Sequence, residues 1–453
     1  MGGEENQVHI FFFPFMANGH MIPNMFPEQS RGQKFFCSPL DINIKTIKFP
    51  AVDVGLPEGC ENTDLITSHE IEGEMTKFFS MATTMHQQPL EKLLQECHPD
   101  CLTIDMFLPW TTNAATKFGI PRLVFHGISC FSLCTLDCLN IYMPYKKSSS
   151  DSKLFVVPEL PGDIKFRSKH LPEYVKQNVE TDFTRLIQKV RESSLKIFGI
   201  VLIQRVQDGR RERENYVILI IKTYIYISVI GKKALIDEHE CLKWLDSKKP
   251  NSVVYICFKT VAIFSDSQLK EIVLKFASTL EASGQQFIWV VRKDKKARDK
   301  EEWLPEGFEK RMESKGLIIR GWAPQVVILD HEAIGGFVTH CGWNSTIEGI
   351  AAGKPMVTWP VSAEQFFNEK LVTDVLKIGV AVGVQHWVTV YGDKITSGAV
   401  EKAVTRIMTG EEAKEMRSRV EALGGMAKRA IEEDGSSYSN LNALIEELRG
   451  RRH

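Results

Sequence analysis

The sequence predicts an α/β protein with two doubly wound, Rossmann-like parallel sheets, and three observations carry that prediction. Short, mostly apolar runs recur along the chain, as covered strands do. Helical stretches separate them, which is the alternation of a parallel sheet with helices on both faces. The pattern occurs once in each half of a 453-residue chain, which is too long for a single core.

In the first half, strands are predicted at 8–13 (VHIFFF), 101–104, 122–125 and 199–203. In the second half they are predicted at 252–257, 286–291, 316–319, 334–338 and 355–358, with helices at 265–282, 345–352 and 364–376. The junction falls near 229–240. From 397 to 448 the composition is helical, with 435–437 as the break. This gives an N-terminal domain at 1–230, a C-terminal domain at 231–434, and a terminal helix at 435–453, its last stretch 440–448 expected to cross back onto the first domain. The two domains are expected to face each other across a cleft.

Composition narrows the function. Apolar residues make up 43% and charged residues 25%, as in an ordinary folded protein. Lys plus Arg number 56 against 57 Asp plus Glu, so no global field selects nucleic acid or an anionic membrane, and a small-molecule ligand is expected. The start, MGGEENQ, lacks the basic-then-apolar order of an export signal, and a cytoplasmic location is expected. Residues 216–230 form a 15-residue apolar run interrupted by Lys222, shorter than the roughly 20 residues a membrane span needs, and read as core. Ten cysteines show no secreted framework. Cys130, Cys134 and Cys138 recur every fourth residue and are expected on one helix face, packed in the core rather than holding metal.

The most informative stretch is FVTHCGWNST at 337–346. A buried strand ends at a histidine and a helix follows at once, with Asn344 or Ser345 as its N-cap and Ile347, Ile350 and Ala351 at helical spacing. Gly353 stands where a left-handed C-terminal residue belongs. Such a strand-to-helix junction aims N–H groups and the positive end of the helix dipole at one point, a ready anion site. Ser345 and Glu348 also have the spacing of a capping box, in which both side chains serve only their own helix end. Pattern alone leaves both readings open. Ligands of open α/β sheets bind outside the carboxyl ends of strands, so the loops at 13–20, 105–110, 258–260 and 340–345 are expected to converge.

From 322 to 365 runs WAPQVVILDHEAIGGFVTHCGWNSTIEGIAAGKPMVTWPVSAEQ, which closely resembles the 44-residue nucleotide-sugar box of plant family 1 UDP-glycosyltransferases. FPFMANGHMIP, PDCLTIDMFLPW, FHGISCFSLC, ECLKWLDSKKPNSVVYICF, QFIWVVR and FFNEKLV are also similar to that family. The resemblance implies the GT-B fold, a UDP-sugar donor and a small hydrophobic acceptor such as a flavonoid, another phenolic or a terpenoid. It gives Trp322 the role of stacking on uracil, with Ala323 and Gln325 at the base and ribose. His340, Trp343 through its backbone, Asn344 and Ser345 look like the diphosphate cradle, Glu348 like the ribose acceptor, and Glu364 and Gln365 like the sugar-holding pair. A terminal Gln is similar to glucose-using members, although one side chain does not separate UDP-glucose from UDP-galactose, UDP-xylose or UDP-glucuronate. His20 resembles the family's general base and Asp105 the carboxylate that orients it. The implied reaction is direct displacement with inversion, without a metal, by a monomer.

Three departures accompany the resemblance. The crossover after His20 is shortened around 24–42, where Pro23 and Pro27 restrict any helix to short pieces. Phe258-Lys259-Thr260 stands where the family has Phe-Gly-Ser, with Thr260 keeping a hydroxyl. Residues 204–230 barely resemble the expected segment. Two functions therefore stay open: an active glucosyltransferase, or a catalytically impaired relative that only binds UDP-sugar.

Overall fold

The computed structural model describes residues 8–16, 45–58, 60–61, 81–148, 150–176, 180–194, 196–202, 218–220, 238–258, 274, 276–281, 284–291, 304–321, 323–387 and 395–451. Its strands in chain order are β1 (Ile10–Phe13), β2 (Cys101–Asp105), β3 (Arg122–His126), β4 (Leu154–Val156), β5 (Lys165–Arg167), β6 (Gly199–Leu202) and β7 (Ile218–Ile220). They continue with β8 (Val253–Cys257), β9 (Gln286–Val291), β10 (Gly316–Arg320), β11 (Ile334–Thr339), β12 (Met356–Thr358) and β13 (Gly379–Ala381). The helices that bear on function are α1 (Thr111–Lys117), α2 (Cys130–Tyr142), α3 (Gln325–Asp330), α4 (Trp343–Ala351), α5 (Gln365–Lys370), α6 (Ser397–Met408), α7 (Gly410–Ala430) and α8 (Ser436–Gly450).

By contacts the chain forms two compact units. The first comprises Met1–Ser129, Gln177–Ile227 and Arg429–His453; the second comprises Cys130–Lys176 and Ser228–Lys428. In the first unit the strands pair in the order β1-β2-β3-β6-β7, every described pair parallel. Strands β2 and β3 are buried along their whole length, as central strands covered on both faces must be. Leu102 and Ile104 pack with Phe15, Leu90 and Leu94. Helix α8 packs against the edge strand β7, so part of the unusual 204–230 segment is a sheet element.

The second unit has the strand order β10-β9-β8-β11-β12-β13, again all parallel. Numbered from β8, this is the 3-2-1-4-5-6 order of a Rossmann sheet, and the order reverses between β8 and β11. Along β8, Val254 and Ile256 enter one apolar cluster while Val253, Tyr255 and Cys257 enter another on the opposite face. That period of two explains why the strand reads as a continuous apolar run. Strands β4 and β5 form a separate antiparallel hairpin.

Several expectations are corrected. The helical tail breaks at 431–435 rather than at 435–437: Asp434 takes a left-handed φ of 64°, Gly435 is the extended N-cap, and Ser436 and Ser437 already belong to α8. The helix expected at 364–376 is α only over Gln365–Lys370 and widens to a π-turn at Leu371–Val375. Of the three α2 cysteines only Cys138 is core; Cys134 is exposed and Cys130 half-buried.

Candidate functional site

Strand β11 is buried throughout and ends beside β8, with Thr339 opposite Cys257, at the carboxyl edge where the strand order reverses. The next three residues turn the chain sharply into α4. Cys341 takes a positive φ of 65°, a sparsely populated conformation for a side chain with a Cβ. Its N–H donates to Thr339 Oγ1 at 3.2 Å, and its carbonyl accepts Asn368 Nδ2 at 2.9 Å. Gly342 follows, and an added Cβ there would lie 2.6 Å from His340 Nε2. The imidazole of His340 therefore rests on Gly342.

Gly342, not Asn344 or Ser345, is the N-cap of α4, and no side chain caps it. The first rung of the helix runs from Thr346 N to Gly342 O at 2.9 Å, so the N–H groups of Trp343, Asn344 and Ser345 precede the ladder at the positive end of the dipole. The capping box is also absent. Ser345 Oγ accepts Gln325 Nε2 at 3.3 Å, and Gln325 Nε2 also donates to Glu348 Oε2. Tyr255, stacked on Phe337 with ring centroids 5.4 Å apart, donates its hydroxyl to Gln325 Oε1 at 3.4 Å. Gln325, Ser345 and Glu348 are all buried, so an amide, a hydroxyl and a carboxylate are held together at one helix end by mutual hydrogen bonds. Ala323 lies buried just before α3, and Gly353 ends α4 with a φ of 68°, as the sequence predicts.

Asn368 ties this turn to α5. Besides Cys341 O, its amide lies 3.4 Å from Glu364 Oε1, and its Oδ1 accepts Ser132 Oγ of α2 at 3.0 Å. Glu364 is the N-cap residue of α5. Gln365 turns its carbonyl oxygen onto the backbone N–H groups of Val361 and Ser362, at 2.8 and 3.1 Å, which fixes its amide group at the rim of the loop. Below them, buried Glu369 accepts Thr358 Oγ1 at 2.8 Å, and burial pushes its carboxyl up to about 7.

In the first unit, Asp105 is the last residue of β2 and fully buried. Its Oδ1 accepts the N–H of Phe107 at 3.0 Å, an Asx-type turn. Strand β1 pairs Phe13 with Ile104, so the chain leaves β1 beside Asp105. His20, Thr260 and Trp322 lie outside the described residues. Sequence reasoning missed Tyr255, Asn368 and Ser132: Tyr255 reads as one more apolar strand residue, and the Ser132–Asn368 bond joins positions 236 residues apart. Among the described residues no group of three or more His, Cys, Asp and Glu side chains could hold a metal ion, and no helix is long and apolar enough to cross a membrane.

The two Rossmann-like sheets are the architecture of GT-B glycosyltransferases. Among solved structures of that class, Glycyrrhiza uralensis UGT73P12 complexed with glycyrrhetinic acid 3-O-monoglucuronide matches with a TM-score of 0.75 and 34% identity, over 90% of this chain and 83% of its own. A sequence profile described as "UDP-glucoronosyl and UDP-glucosyl transferase" matches residues 222–423. Scopoletin glucosyltransferase of Nicotiana tabacum is 49% identical over 98% of both chains. UDP-glucose flavonoid 3-O-glucosyltransferase 7 of Fragaria ananassa is 45% identical over 98% of this chain and 96% of its own. The chain belongs to the plant family 1 UDP-glycosyltransferases, and it is a glycosyltransferase enzyme, as its sequence implies.

Proposed function

We propose that the protein transfers glucose from UDP-glucose, with inversion, to a hydroxyl of a small hydrophobic acceptor such as a flavonoid, another phenolic or a terpenoid. The observation that carries this reading is the Gln325–Ser345–Glu348 cluster at the N-terminus of α4, at the switch point of a Rossmann sheet. A nucleotide diphosphate fits there by elementary electrostatics: N–H groups of 343–345 and His340 meet the phosphates, while Glu348 accepts ribose hydroxyls. Gln325 and Ala323 meet the base and ribose, with Trp322 stacked on uracil and Thr260 donating a hydroxyl. Glu364 and the amide of Gln365 hold the sugar hydroxyls.

In the proposed step His20 takes the proton of the acceptor hydroxyl, the oxygen attacks the anomeric carbon, and the bond to the diphosphate breaks, giving a β-glucoside and UDP. Asp105 orients the His20 ring and stabilises its charged form. Support comes from the burial of Asp105 and from the β1–β2 register, which starts the His20 loop beside it. The relatives named for scopoletin and flavonoid glucosylation support the acceptor class. In this reading 1–230 reads the acceptor, 231–434 the donor, and 435–453 returns to the first domain. The enzyme works as a cytoplasmic monomer without a metal.

Calorimetric titration with UDP and UDP-glucose, followed by UDP release over a panel of phenolic acceptors, tests the reading. Binding with turnover, lost by about 10²- to 10⁴-fold in His20→Ala while donor affinity is kept, is the expected result. Binding without turnover on any acceptor would instead identify a relative that only holds UDP-sugar.

A further inference from the structure

The first unit carries a cavity at the amino ends of β3 and β6, the sheet edge opposite to Asp105. It has a volume of about 290 Å³, and its lining includes Thr116, Arg122, Lys196, Phe198 and Arg451. Arg122 is the first residue of β3 and only 3% exposed. Its Nε donates to Thr111 Oγ1 at 3.0 Å, but buried Nη1 and Nη2 have no hydrogen-bond partner among the described residues. Thr112 and Thr116 turn their hydroxyls onto backbone carbonyls, and the last carbonyls of α1 accept the N–H groups of 118–120.

Burial pulls the Arg122 guanidinium down to about 10, with no carboxylate among the described residues holding it up, and it still carries its charge at neutral pH. A buried charge without a counter-charge is strongly unfavourable. Two more cations share the cavity. Lys196 is exposed and has no ion pair among the described residues. Arg451 stacks on Phe198 at 4.2 Å and, among the described residues, its one carboxylate neighbour is Glu447, at 3.8 Å across an exposed i,i+4 pair that neutralises little. The backbone braces the arrangement, since Phe198 N donates to Arg122 O at 2.9 Å.

We propose that this cavity is an anion site that takes a tetrahedral phosphate dianion, free or as a phosphate monoester, held by the Arg122 fork and closed by Lys196 and Arg451. A planar guanidinium presents two parallel donors to two oxygens of one phosphate. Among the described residues, three cations from three chain segments stand against one distant carboxylate, which suits a dianion better than a monocarboxylate. The volume stands at the lower end of the roughly 300–1,000 Å³ typical of small-ligand pockets, which suits a phosphate or the phosphate ester of a small metabolite.

The test is calorimetric titration of the full chain, kept saturated with UDP so that the donor site is blocked, at constant ionic strength. Inorganic phosphate and glycerol 3-phosphate are titrated in parallel with acetate. One phosphate per chain is expected, with acetate at least tenfold weaker; tighter glycerol 3-phosphate would identify an ester as the ligand, and equal or weaker binding the free ion. Lys196→Ala with Arg451→Ala, both at the surface, should weaken phosphate at least tenfold and leave glycosyl transfer unchanged. Arg122→Met should abolish phosphate binding and raise the melting temperature in phosphate-free buffer, because an unpaired buried charge is gone and Thr111 still donates to Leu108 O. Phosphate binding no stronger than acetate, or unaffected by the double variant, overturns the proposal. So does a lowered melting temperature for Arg122→Met without any phosphate response in the parent chain.

Discussion

Asn368 donates its Nδ2 amide to the carbonyl of Cys341 at 2.9 Å, holding a residue with a positive φ at the entrance of α4. The same side chain accepts Ser132 Oγ, so its removal leaves a carbonyl and a hydroxyl buried without it. Asn368→Ala should cost about 1–3 kcal/mol of stability, the usual range for unsatisfied buried polar groups. It should also loosen the 340–342 turn, raising the Kd for UDP. Urea denaturation and UDP titration read the two effects separately, and unchanged UDP affinity would show that the turn holds itself.

Gly342→Ala separates shape from stability. The backbone at Gly342, with φ −58° and ψ 141°, suits any L residue, so no backbone penalty arises. The added Cβ would meet His340 Nε2 at 2.6 Å and push the ring aside. Thermal melting should change by no more than the equivalent of about 1 kcal/mol, while affinity for UDP falls by about tenfold, or roughly 1.4 kcal/mol.

The second unit was the more legible in the sequence because its strands are covered on both faces and leave an unbroken apolar signature, as in VVYIC of β8. The helix stop at Gly353 was legible for a local reason, its positive φ. The N-cap was not. Ser345 and Glu348 fit a capping box, and only the arrival of Gln325 from α3 diverts both side chains. The cysteine spacing gave one helix face correctly but not its environment, since burial along α2 depends on what packs there. Asn368 and Ser132 meet through tertiary structure alone, which no local period encodes.

The same cysteines give a chemical prediction. Cys130 and Cys134 sulfurs lie 3.9 Å apart, and the hydrogen bond they share brings the Cys130 thiol down to about 7. Burial drives Cys101 up to about 12 and Cys341 well above its ordinary range. Because the thiolate is the nucleophile, a brief iodoacetamide pulse at pH 7.5 should label Cys130 far ahead of Cys101 and Cys341. Peptide mass spectrometry across pH should place half-maximal labelling of Cys130 near 7; a midpoint near 9 would mean that the Cys134 contact does not act on it.

Glu369 ties stability to pH in a direction opposite to that of most carboxylates. Its carboxyl, ordinarily near 4.5, rises to about 7 because burial outweighs the Thr358 hydrogen bond and the nearby Lys370, with Asp374 adding to the rise. Between those values the folded chain binds a proton that the unfolded chain has lost. The contribution to stability is therefore full below about 4.5 and is lost as pH rises through 7. Glu369→Gln keeps an acceptor for the Thr358 hydroxyl and cannot ionise. Relative to the parent chain, the variant should gain up to about 3 kcal/mol between pH 4.5 and pH 8, at 1.36 kcal/mol per pKa unit. Urea denaturation of both proteins across that interval measures the gain, and a difference independent of pH would mean that Glu369 is ionised in the fold throughout.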